Sequence, residues 1–280
     1  MKKLKEVLME GRALLKEANI DNYEYDSVML MEYVFHISHM EYFMNPEKEV
    51  DETEYLKCIH DRMNHYPLQY ITHEQWFMGM PFKVNENVLI PRQDTEILVE
   101  NAIKTIGKRK CRVLDLCTGS GCIAVSISRF CENAEVTGAD ISGEALKIAE
   151  YNNKANHTNV EFIQSNLFEN ITGKFDVIVS NPPYIPTDDI KELMQEVRQY
   201  EPRMALDGDK DGLVFYKKIT GNAVNYLTKD GYLLYEIGCS QADDVSRIMR
   251  ENRFTGIEVV KDLASLDRVV IGMRKEENNV

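Results

Sequence analysis

Val113-Leu114-Asp115-Leu116-Cys117-Thr118-Gly119-Ser120-Gly121 is the part of this 280-residue chain that restricts its architecture most. Its apolar start predicts a β-strand. Its end is a loop in which Gly119 and Gly121 let the backbone pass close to a ligand, since glycine has no Cβ. A helix is predicted from Cys122 to about Cys131. Strand, glycine loop and helix in this order are typical of a site for a nucleoside cofactor. The candidate cofactor-binding residues of the loop are Cys117, Thr118, Gly119, Ser120 and Gly121.

A second predicted strand, residues 135–139, ends in Asp140. This residue lies about 20 positions beyond the glycines, where a carboxylate can accept hydrogen bonds from both hydroxyls of a ribose. Gly119, Gly121 and Ala124 also match the fingerprint of dinucleotide-binding proteins. A nicotinamide-dependent oxidoreductase is therefore an open alternative for this part of the chain.

Two more strands are predicted beyond Asp140. Residues 160–163 lead to Ser165, Asn166 and Leu167, where the adenine of a nucleoside cofactor would lie in a doubly wound sheet. Residues 175–180 are apolar enough to be buried on both faces. Ligands of open α/β sheets bind outside the carboxyl ends of the strands. We therefore expect the glycine loop and the ends of these strands to meet at one crevice.

Asn181-Pro182-Pro183-Tyr184 follows the last of these strands and suits the methylation of an amide or an aromatic amino group. Such a nitrogen is a poor nucleophile, so it must be held and aimed. The side-chain oxygen of Asn181 and the carbonyl of Pro182 can each accept one N–H, and Pro183 keeps that carbonyl in extended backbone. Tyr184 offers a ring face for a flat group. The simpler interpretation is a proline-rich turn after a strand.

Further segments extend the pattern, namely residues 70–75, 79–82, 88–96 and 200–208. With these segments, which span about residues 66 to 240, the chain resembles the release-factor glutamine N5-methyltransferases, a family of class I S-adenosylmethionine-dependent methyltransferases. The resemblance implies a seven-stranded doubly wound α/β sheet, S-adenosylmethionine as methyl donor and S-adenosylhomocysteine as product. It also implies that the substrate is the glutamine of the Gly-Gly-Gln loop of class I peptide-chain release factors. Residues 117–121 and Asp140 are thereby assigned to the cofactor, and residues 181–184 to the glutamine.

Four positions depart from the pattern of that family. Cys117 stands where a glycine is common, which is tolerable if its backbone is not left-handed. Gln93 replaces a frequent proline, so its loop should be less stiff. Asn166 replaces an aspartate, and Leu167 an aromatic residue. We expect weaker affinity for the same cofactor, because an amide can bond the adenine amino group only without charge.

We expect a helical substrate-recognition domain over residues 1–72, a hairpin linker over 73–90 and a methyltransferase domain over 91–280. In the first domain, aromatic and methionine side chains at helical spacing favour a core over a partner surface. The hairpin is expected at residues 76–84, with Gly79 and Pro81 near its bend. We expect the helical domain to bind the body of the release factor.

The methyltransferase sheet is expected to finish after the Asn-Pro-Pro-Tyr motif. The pattern predicts a helix over residues 213–227, a strand over 231–237 and a helix over 242–252. Two final strands, around 257–261 and 268–273, should form an antiparallel pair.

The formal net charge of −13 disfavours a protein that grips nucleic acid, because phosphates are normally met by a basic track. An adenine-N6 methyltransferase, which uses the same Asn-Pro-Pro-Tyr chemistry, is the main alternative. A binding module that has lost catalysis is another, but the intact motif argues against it. Direct contact with nucleic acid is not expected.

Six cysteines without a CxxC pair favour thiols in a reducing cytoplasm, and no apolar stretch is long enough for a membrane span. A monomer that needs no metal is expected. Residues 207–212 imitate a calcium loop, but Lys218 occupies the position that requires glutamate. Asp94 is predicted to cap the helix that follows it, while the roles of Arg92 and Glu96 are open between ion pairing and closing over the crevice.

Overall fold

The computed structural model describes residues 1–275. Its helices are α1 Leu4–Glu17, α2 Tyr23–Phe35, α3 His39–Met44, α4 Thr53–Met63, α5 Leu68–Thr72, α6 Gln93–Ile106, α7 Cys122–Phe130, α8 Gly143–Ala155, α9 Gln195–Tyr200, α10 Val214–Tyr226 and α11 Ala242–Glu251. Its strands are β1 Lys2–Lys3, β2 Glu49–Val50, β3 Glu74–Phe77, β4 Met80–Lys83, β5 Cys111–Leu116, β6 Ala134–Asp140, β7 Val160–Gln164, β8 Phe175–Ser180, β9 Leu227–Glu236, β10 Phe254–Lys261 and β11 Asp267–Arg274. The described residues form two compact units, one of residues 1–74 with 194–200 and the other of residues 75–193 with the part from 201 onward.

The second unit contains a seven-stranded sheet in the order β10-β11-β9-β8-β5-β6-β7. Strands β5 to β9 run parallel, while β10 and β11 pair antiparallel with each other and β11 pairs antiparallel with β9. The predicted doubly wound sheet is confirmed, including its antiparallel end. Chain order reverses between β5 and β8, and at such a switch point the loops diverge and leave a crevice.

Both faces of this sheet are covered by helices. Successive residues of a strand point to opposite faces, and Val113 accordingly packs with α6 and α7 while Leu114 packs with α10 and α11. Both side chains are fully buried. The central strands are therefore continuous apolar runs, as the sequence of β8 already indicated.

The first unit is a helical bundle around a core that includes Leu8, Leu30 and Tyr55. A buried ion pair joins Arg62 to Asp26, with 2.7 Å between Nε and Oδ2, and Arg62 also meets Glu196 at 2.8 Å. A short β1–β2 pair, which the sequence did not predict, accompanies the helices.

The prediction that the aromatic and methionine residues of this unit form core is partly wrong. Met31 is buried, but Tyr25, Met40, Phe43 and Met44 are each more than 60% exposed. Three of these exposed side chains lie on α3. This helix has only six residues, and it buries none of its side chains completely.

The hairpin of β3 and β4 turns through Met78 and Gly79, whose φ angles are 50° and 72°. Two consecutive positive φ angles match the twist of an antiparallel pair. Pro81 lies inside β4 and not in the turn itself.

The last helices and strands lie close to their predicted positions. The helix predicted through Leu227 ends at Tyr226, because β9 already begins at Leu227. Every helix within residues 1–275 is too short or too polar to cross a lipid bilayer.

Candidate active site

A cavity of about 390 Å³ lies at the carboxyl ends of the parallel strands of the second unit. Its volume falls in the range of small-molecule sites. The glycine loop, the end of β6, the turn after β7 and the start of the Asn-Pro-Pro-Tyr motif all contribute to its wall. The predicted site residues that line it are Cys117, Thr118, Gly119, Ser120, Asp140, Asn166, Leu167, Asn181 and Pro183.

The glycine loop follows β5 and uses left-handed backbone three times. Cys117, Gly119 and Gly121 have φ angles of 61°, 53° and 79°. Cys117 was expected to be tolerable only if its backbone is not left-handed, and this condition is not met. Because cysteine has a Cβ, the left-handed backbone at Cys117 is strained, which a glycine would avoid. Gly119 has open space where a Cβ would stand, so a ligand can approach its backbone. Gly121 is closed in by Ala149 instead.

Asp115 supports this loop from behind. Its carboxylate is fully buried and accepts a hydrogen bond of 2.6 Å from the hydroxyl of Thr118. Burial raises the pKa of Asp115 to about 7, although the bond from Thr118 opposes the rise. The backbone amide of Ala124 also lowers this pKa. Asp115 was not predicted as a site residue, because an aspartate inside an apolar strand gives no distinct signal.

Asp140 is held by two backbone amides. Its Oδ2 accepts from Gly119 N and its Oδ1 accepts from Ser142 N, both at 2.9 Å. Burial raises the pKa of this carboxyl above its usual range, while the amide bonds lower it. Each carboxylate oxygen has a second lone pair. Asp140 can therefore still accept hydrogen bonds from a ligand in the cavity.

The turn after β7 carries Asn166 and Leu167. The hydroxyl of Ser165 donates to the carbonyl of Leu167 at 2.8 Å, and Leu167 has a φ angle of 51°. Asn166 donates through Nδ2 to Glu169 at 2.7 Å. Since the amide nitrogen is already engaged, the Asn166 side-chain oxygen is the group available to a ligand.

The Asn-Pro-Pro-Tyr motif begins where β8 ends. Nδ2 of Asn181 donates to Oγ1 of Thr95 at 3.3 Å, and Asn181 and Pro183 face the cavity. Pro182 is buried, and Tyr184 is half-buried with its hydroxyl donating to Glu236 at 3.3 Å. Neither Pro182 nor Tyr184 lines the cavity. Burial raises the pKa of Tyr184 above its usual value, so its hydroxyl stays protonated.

The segment that imitates a calcium loop clamps this motif from outside. Ile185 and residues 206–208 exchange backbone hydrogen bonds, one from Ile185 N to Leu206 O at 3.0 Å and one from Gly208 N to Ile185 O at 2.8 Å. The side chain of Gln241 donates to the carbonyl of Tyr184 at 2.9 Å. Asp207 accepts from Thr187 at 2.6 Å. Asp207 and Gly208 thus hold the residues that follow Tyr184, Asp207 through its side chain and Gly208 through its backbone.

Comparison with known proteins identifies the family. Residues 6–72 match the family described as PrmC N-terminal domain, and residues 92–200 match the methyltransferase small domain. The release factor glutamine methyltransferase of Clostridium acetobutylicum is 40% identical over 97% of this chain and 99% of that protein. The chain belongs to the release factor glutamine methyltransferases. The relative of that name in Thermodesulfovibrio yellowstonii is 44% identical over 82% of this chain and 85% of its own length.

The solved structure of a methyltransferase from Pyrococcus furiosus has the same fold. It covers 71% of this chain and 91% of its own, with a TM-score of 0.55 and 17% identity. Membership of a methyltransferase family removes the nicotinamide-dependent oxidoreductase that the glycine loop alone left open.

The structure shows the contacts of Arg92, Asp94 and Glu96, which lie at the start of α6 in this methyltransferase. The predicted cap at Asp94 is wrong: α6 begins at Gln93, and Asp94 lies in its first turn, where it pairs with Arg268 at 3.2 Å. Arg92 lines the cavity and pairs with the buried carboxylate of Glu201. Glu96 accepts a hydrogen bond of 2.6 Å from Met78 N.

Three polar residues at or near the cavity were missed from sequence: Thr95 lines it, whereas Glu201 and Glu236 do not. Each is almost completely buried. Glu201 also receives a bond from Ile90 N at 3.3 Å. For Glu236, the sequence held one signal: a carboxylate at the end of an apolar run, where a buried side chain is expected. Within residues 1–275, no group of three or more His, Cys, Asp or Glu side chains is arranged to hold a metal ion.

Proposed function

We propose that this enzyme transfers the methyl group of S-adenosylmethionine to the side-chain amide nitrogen of the glutamine in the Gly-Gly-Gln loop of class I peptide-chain release factors. The observation that carries the proposal is that one cavity is lined both by the glycine loop and by Asn181. Family membership supports a glutamine of a release factor as substrate, since relatives matched over most of their length are named release factor glutamine methyltransferase.

The residues of the cavity fit a nucleoside cofactor. The open backbone at Gly119 would accommodate its amino-acid part, and the remaining lone pairs of Asp140 would receive the ribose hydroxyls. Asn166 would offer its amide oxygen to the adenine amino group, beside Leu167. S-adenosylmethionine would supply an electrophilic methyl group there. The neutral Asn166 should weaken binding relative to an aspartate.

The Asn-Pro-Pro-Tyr motif orients the substrate amide. Asn181 lines the cavity, and its Oδ1 would accept one N–H of the amide. Pro183 also lines the cavity and keeps the motif extended. Pro182 and Tyr184 do not line it, so the proposed roles of the Pro182 carbonyl as second acceptor and of the Tyr184 ring as a restraint require the bound glutamine to extend beyond the cavity wall. No strong base is required, because the methylated nitrogen is acidic and its proton leaves to water. The rate enhancement therefore comes mainly from orientation and electrostatics.

Residues 1–72 are proposed as the substrate-recognition domain, residues 73–90 as the linker and residues 91–280 as the methyltransferase domain. The exposed apolar side chains of α3 support a contact with the body of the release factor. Changing Met40 and Phe43 to serine should raise the KM for release factor and leave its kcat unchanged. Removing residues 1–72 should abolish protein methylation and spare cofactor binding. Unchanged activity of the truncated enzyme would refute this role.

The enzyme is further proposed to act as a monomer in the cytoplasm, without a metal ion and without direct contact to nucleic acid. The net charge of −13 supports the last point, because a phosphate backbone would be repelled. Sedimentation of the pure protein with and without nucleic acid tests both the monomer and the lack of binding.

The decisive experiment uses methyl-labelled S-adenosylmethionine with three substrates. These are a release factor, its variant with alanine in place of the Gly-Gly-Gln glutamine, and nucleic acid. Peptide mass spectrometry should locate the label on that glutamine alone. Label on adenine would move the substrate to nucleic acid and refute the proposal. Label on the alanine variant would show that another residue is the acceptor.

A further inference from the structure

A buried carboxamide behind the Asn-Pro-Pro-Tyr motif takes no part in the chemistry described above. Gln241 lies between β9 and α11 and is 9% exposed. Its Nε2 donates to the carbonyl of Tyr184 at 2.9 Å and to that of Gly212 at 3.4 Å. Its Oε1 accepts from Gly238 N at 3.0 Å. One side chain therefore joins the end of the motif to two other loops.

Both ends of this amide face groups of the matching kind, since Nε2 faces two carbonyl oxygens and Oε1 faces an N–H. The Tyr216 hydroxyl, which donates to the carbonyl of Glu236 at 3.0 Å, also lies 3.4 Å from Oε1. A carboxamide both donates and accepts, whereas a carboxylate only accepts and an apolar side chain does neither. The carboxamide of a glutamine therefore suits this position, because a buried polar group left without a partner is costly.

Two glycines leave the space that this amide fills. A Cβ at Gly212 would collide with the carbonyl of Tyr184 and would stand 2.6 Å from Nε2 of Gln241. A Cβ at Gly238 would stand 2.9 Å from Oε1 and 3.2 Å from Cδ. Contacts shorter than 3.0 Å would force the amide to move, so its position depends on the absence of a side chain at both places.

The backbone of Gln241 is itself held firmly. Its N–H donates to the carbonyl of Gly238 at 2.9 Å, and its carbonyl accepts from Val245 N, in the first turn of α11, at 2.9 Å. Ala242 and Val245 are buried in the core cluster against which Tyr184 also packs. Gln241 therefore connects the motif to a packed helix.

We propose that Gln241 is a positioning residue that fixes the carbonyl of Tyr184 and, through the stiff Asn-Pro-Pro-Tyr segment, the place of Asn181 in the cavity wall. Pro182 and Pro183 have fixed φ angles, so few soft torsions separate Tyr184 from Asn181. A shift of the Tyr184 carbonyl is therefore passed on to Asn181, which lines the cavity. The inference rests on the proposed function, because the place of Asn181 matters for turnover only if Asn181 orients the substrate amide.

The first test is Gln241→Met, which replaces the amide with an apolar side chain of similar length. A misplacement of about 1 Å at a reacting centre can cost about 100-fold in rate, so partial release of the motif should lower kcat roughly ten-fold. The affinity for S-adenosylmethionine, measured by calorimetry, should stay unchanged, because Gln241 does not line the cavity.

Asn153→Leu is the matched control, because it removes a carboxamide that also bridges backbone groups. Oδ1 of Asn153 accepts from Val160 N and its Nδ2 donates to Val160 O, both at 3.1 Å. Val160 begins β7, so these bonds lie at the edge of the sheet opposite the cavity. This variant should lose thermal stability as Gln241→Met does, but it should keep the wild-type kcat.

Gly238→Ala tests the same point with Gln241 in place, because the added Cβ would displace the amide. The φ angle of Gly238 is not in the left-handed region, so alanine adds no torsional strain of that kind. We expect a lower kcat for Gly238→Ala and for Gln241→Ala. In the double variant no amide remains to be displaced, so its kcat should equal that of Gln241→Ala and not fall by the product of the two losses.

Four results would overturn the inference. They are a wild-type kcat in Gln241→Met, the same loss of kcat in Asn153→Leu, a loss of cofactor affinity in Gln241→Met as large as its loss of kcat, and losses that multiply in the double variant. Failure of the wild type to methylate release factor would refute the proposed function, and the inference with it.

Discussion

Gly208 is the position where a single methyl group should disturb the Asn-Pro-Pro-Tyr motif most directly. A Cβ at this glycine would stand 2.8 Å from the Cα of Tyr184 and 2.9 Å from its carbonyl carbon. Both are backbone atoms, so they cannot move aside as a flexible side chain would. The φ angle of Gly208 is not in the left-handed region, so alanine adds no torsional strain of that kind. The Cβ would also stand 2.9 Å from the Cα of Gly212, so the effect of Gly208→Ala reports on these backbone contacts together.

The size of the effect follows from the distances. Ordinary van der Waals contact begins at 3.4 Å, and the Cβ would stand 2.8 Å from the Tyr184 Cα. Restoring ordinary contact therefore requires the two backbone segments to separate by about 0.6 Å, since 3.4 − 2.8 = 0.6. A misplacement of about 1 Å at a reacting centre can cost about 100-fold in rate, so a loss of roughly ten-fold in kcat is expected. Overpacking of this kind also costs about 1–3 kcal/mol of stability.

The assay is methyl transfer to release factor at saturating S-adenosylmethionine, with cofactor affinity measured by calorimetry and stability by urea unfolding. Gly221→Ala is the matched control. Gly221 lies in α10, and the nearest atom to an added Cβ would be Oδ1 of Asn252 at 3.8 Å. It should stabilise the enzyme by about 0.5–1 kcal/mol and leave kcat unchanged. A Gly208→Ala enzyme with wild-type kcat would show that the motif tolerates the displacement, and the reasoning would be refuted.

Three further outcomes are expected. Asn181→Ala should lower kcat far more than cofactor affinity, and an equal loss of both, measured by turnover and calorimetry, would mean that Asn181 mainly builds the cofactor site. Asp115→Asn should remove a pH dependence of the free energy of unfolding. Burial raises the pKa of Asp115 in the folded state to about 7, above the ordinary value of about 3.9. Asp115 therefore favours the folded state at low pH, and that contribution is lost as the pH rises toward 7. Urea unfolding should show wild type losing stability relative to the variant between about pH 4 and 7, and a constant difference would contradict this. Asp26→Ala should destabilise the first unit by about 3 kcal/mol, because it leaves Arg62 buried without its closest partner. The control is Glu54→Ala, which breaks an exposed ion pair and should destabilise the protein by less than about 0.5 kcal/mol. Thermal melting measures both losses of stability.

Much of the fold was predictable because it depends on local patterns. Apolar runs such as residues 175–180 and the glycines that follow β5 specify buried strands and a close-approach loop without any distant contact. The positions of Asp140, Asn166 and Asn181 at strand ends then bring them to one cavity, since the parallel strands end at the same edge.

Sequence reasoning failed where a residue serves a partner far along the chain. Asp94 has the composition of a helix cap, yet in the fold its carboxylate meets Arg268. Residues 207–212 were rejected as a calcium loop, but no sequence pattern predicted that they pack around Tyr184. The exposed side chains on α3 have the spacing of a core, but the helix is too short to bury them.

The sequence by itself determined the order of the strands along the chain, the cofactor loop and the chemistry available to Asn181. Periodicity, glycine positions and the rigidity of proline act over a few residues, so they can be read directly. Only the tertiary structure decided which buried polar groups stand behind that chemistry. Thr95 and Glu236 are separated by most of the second unit in sequence, and their contact with Asn181 and Tyr184 exists only because α6, β8 and β9 meet at one edge of the sheet. Burial at this place raises the pKa of Glu236 to about 6.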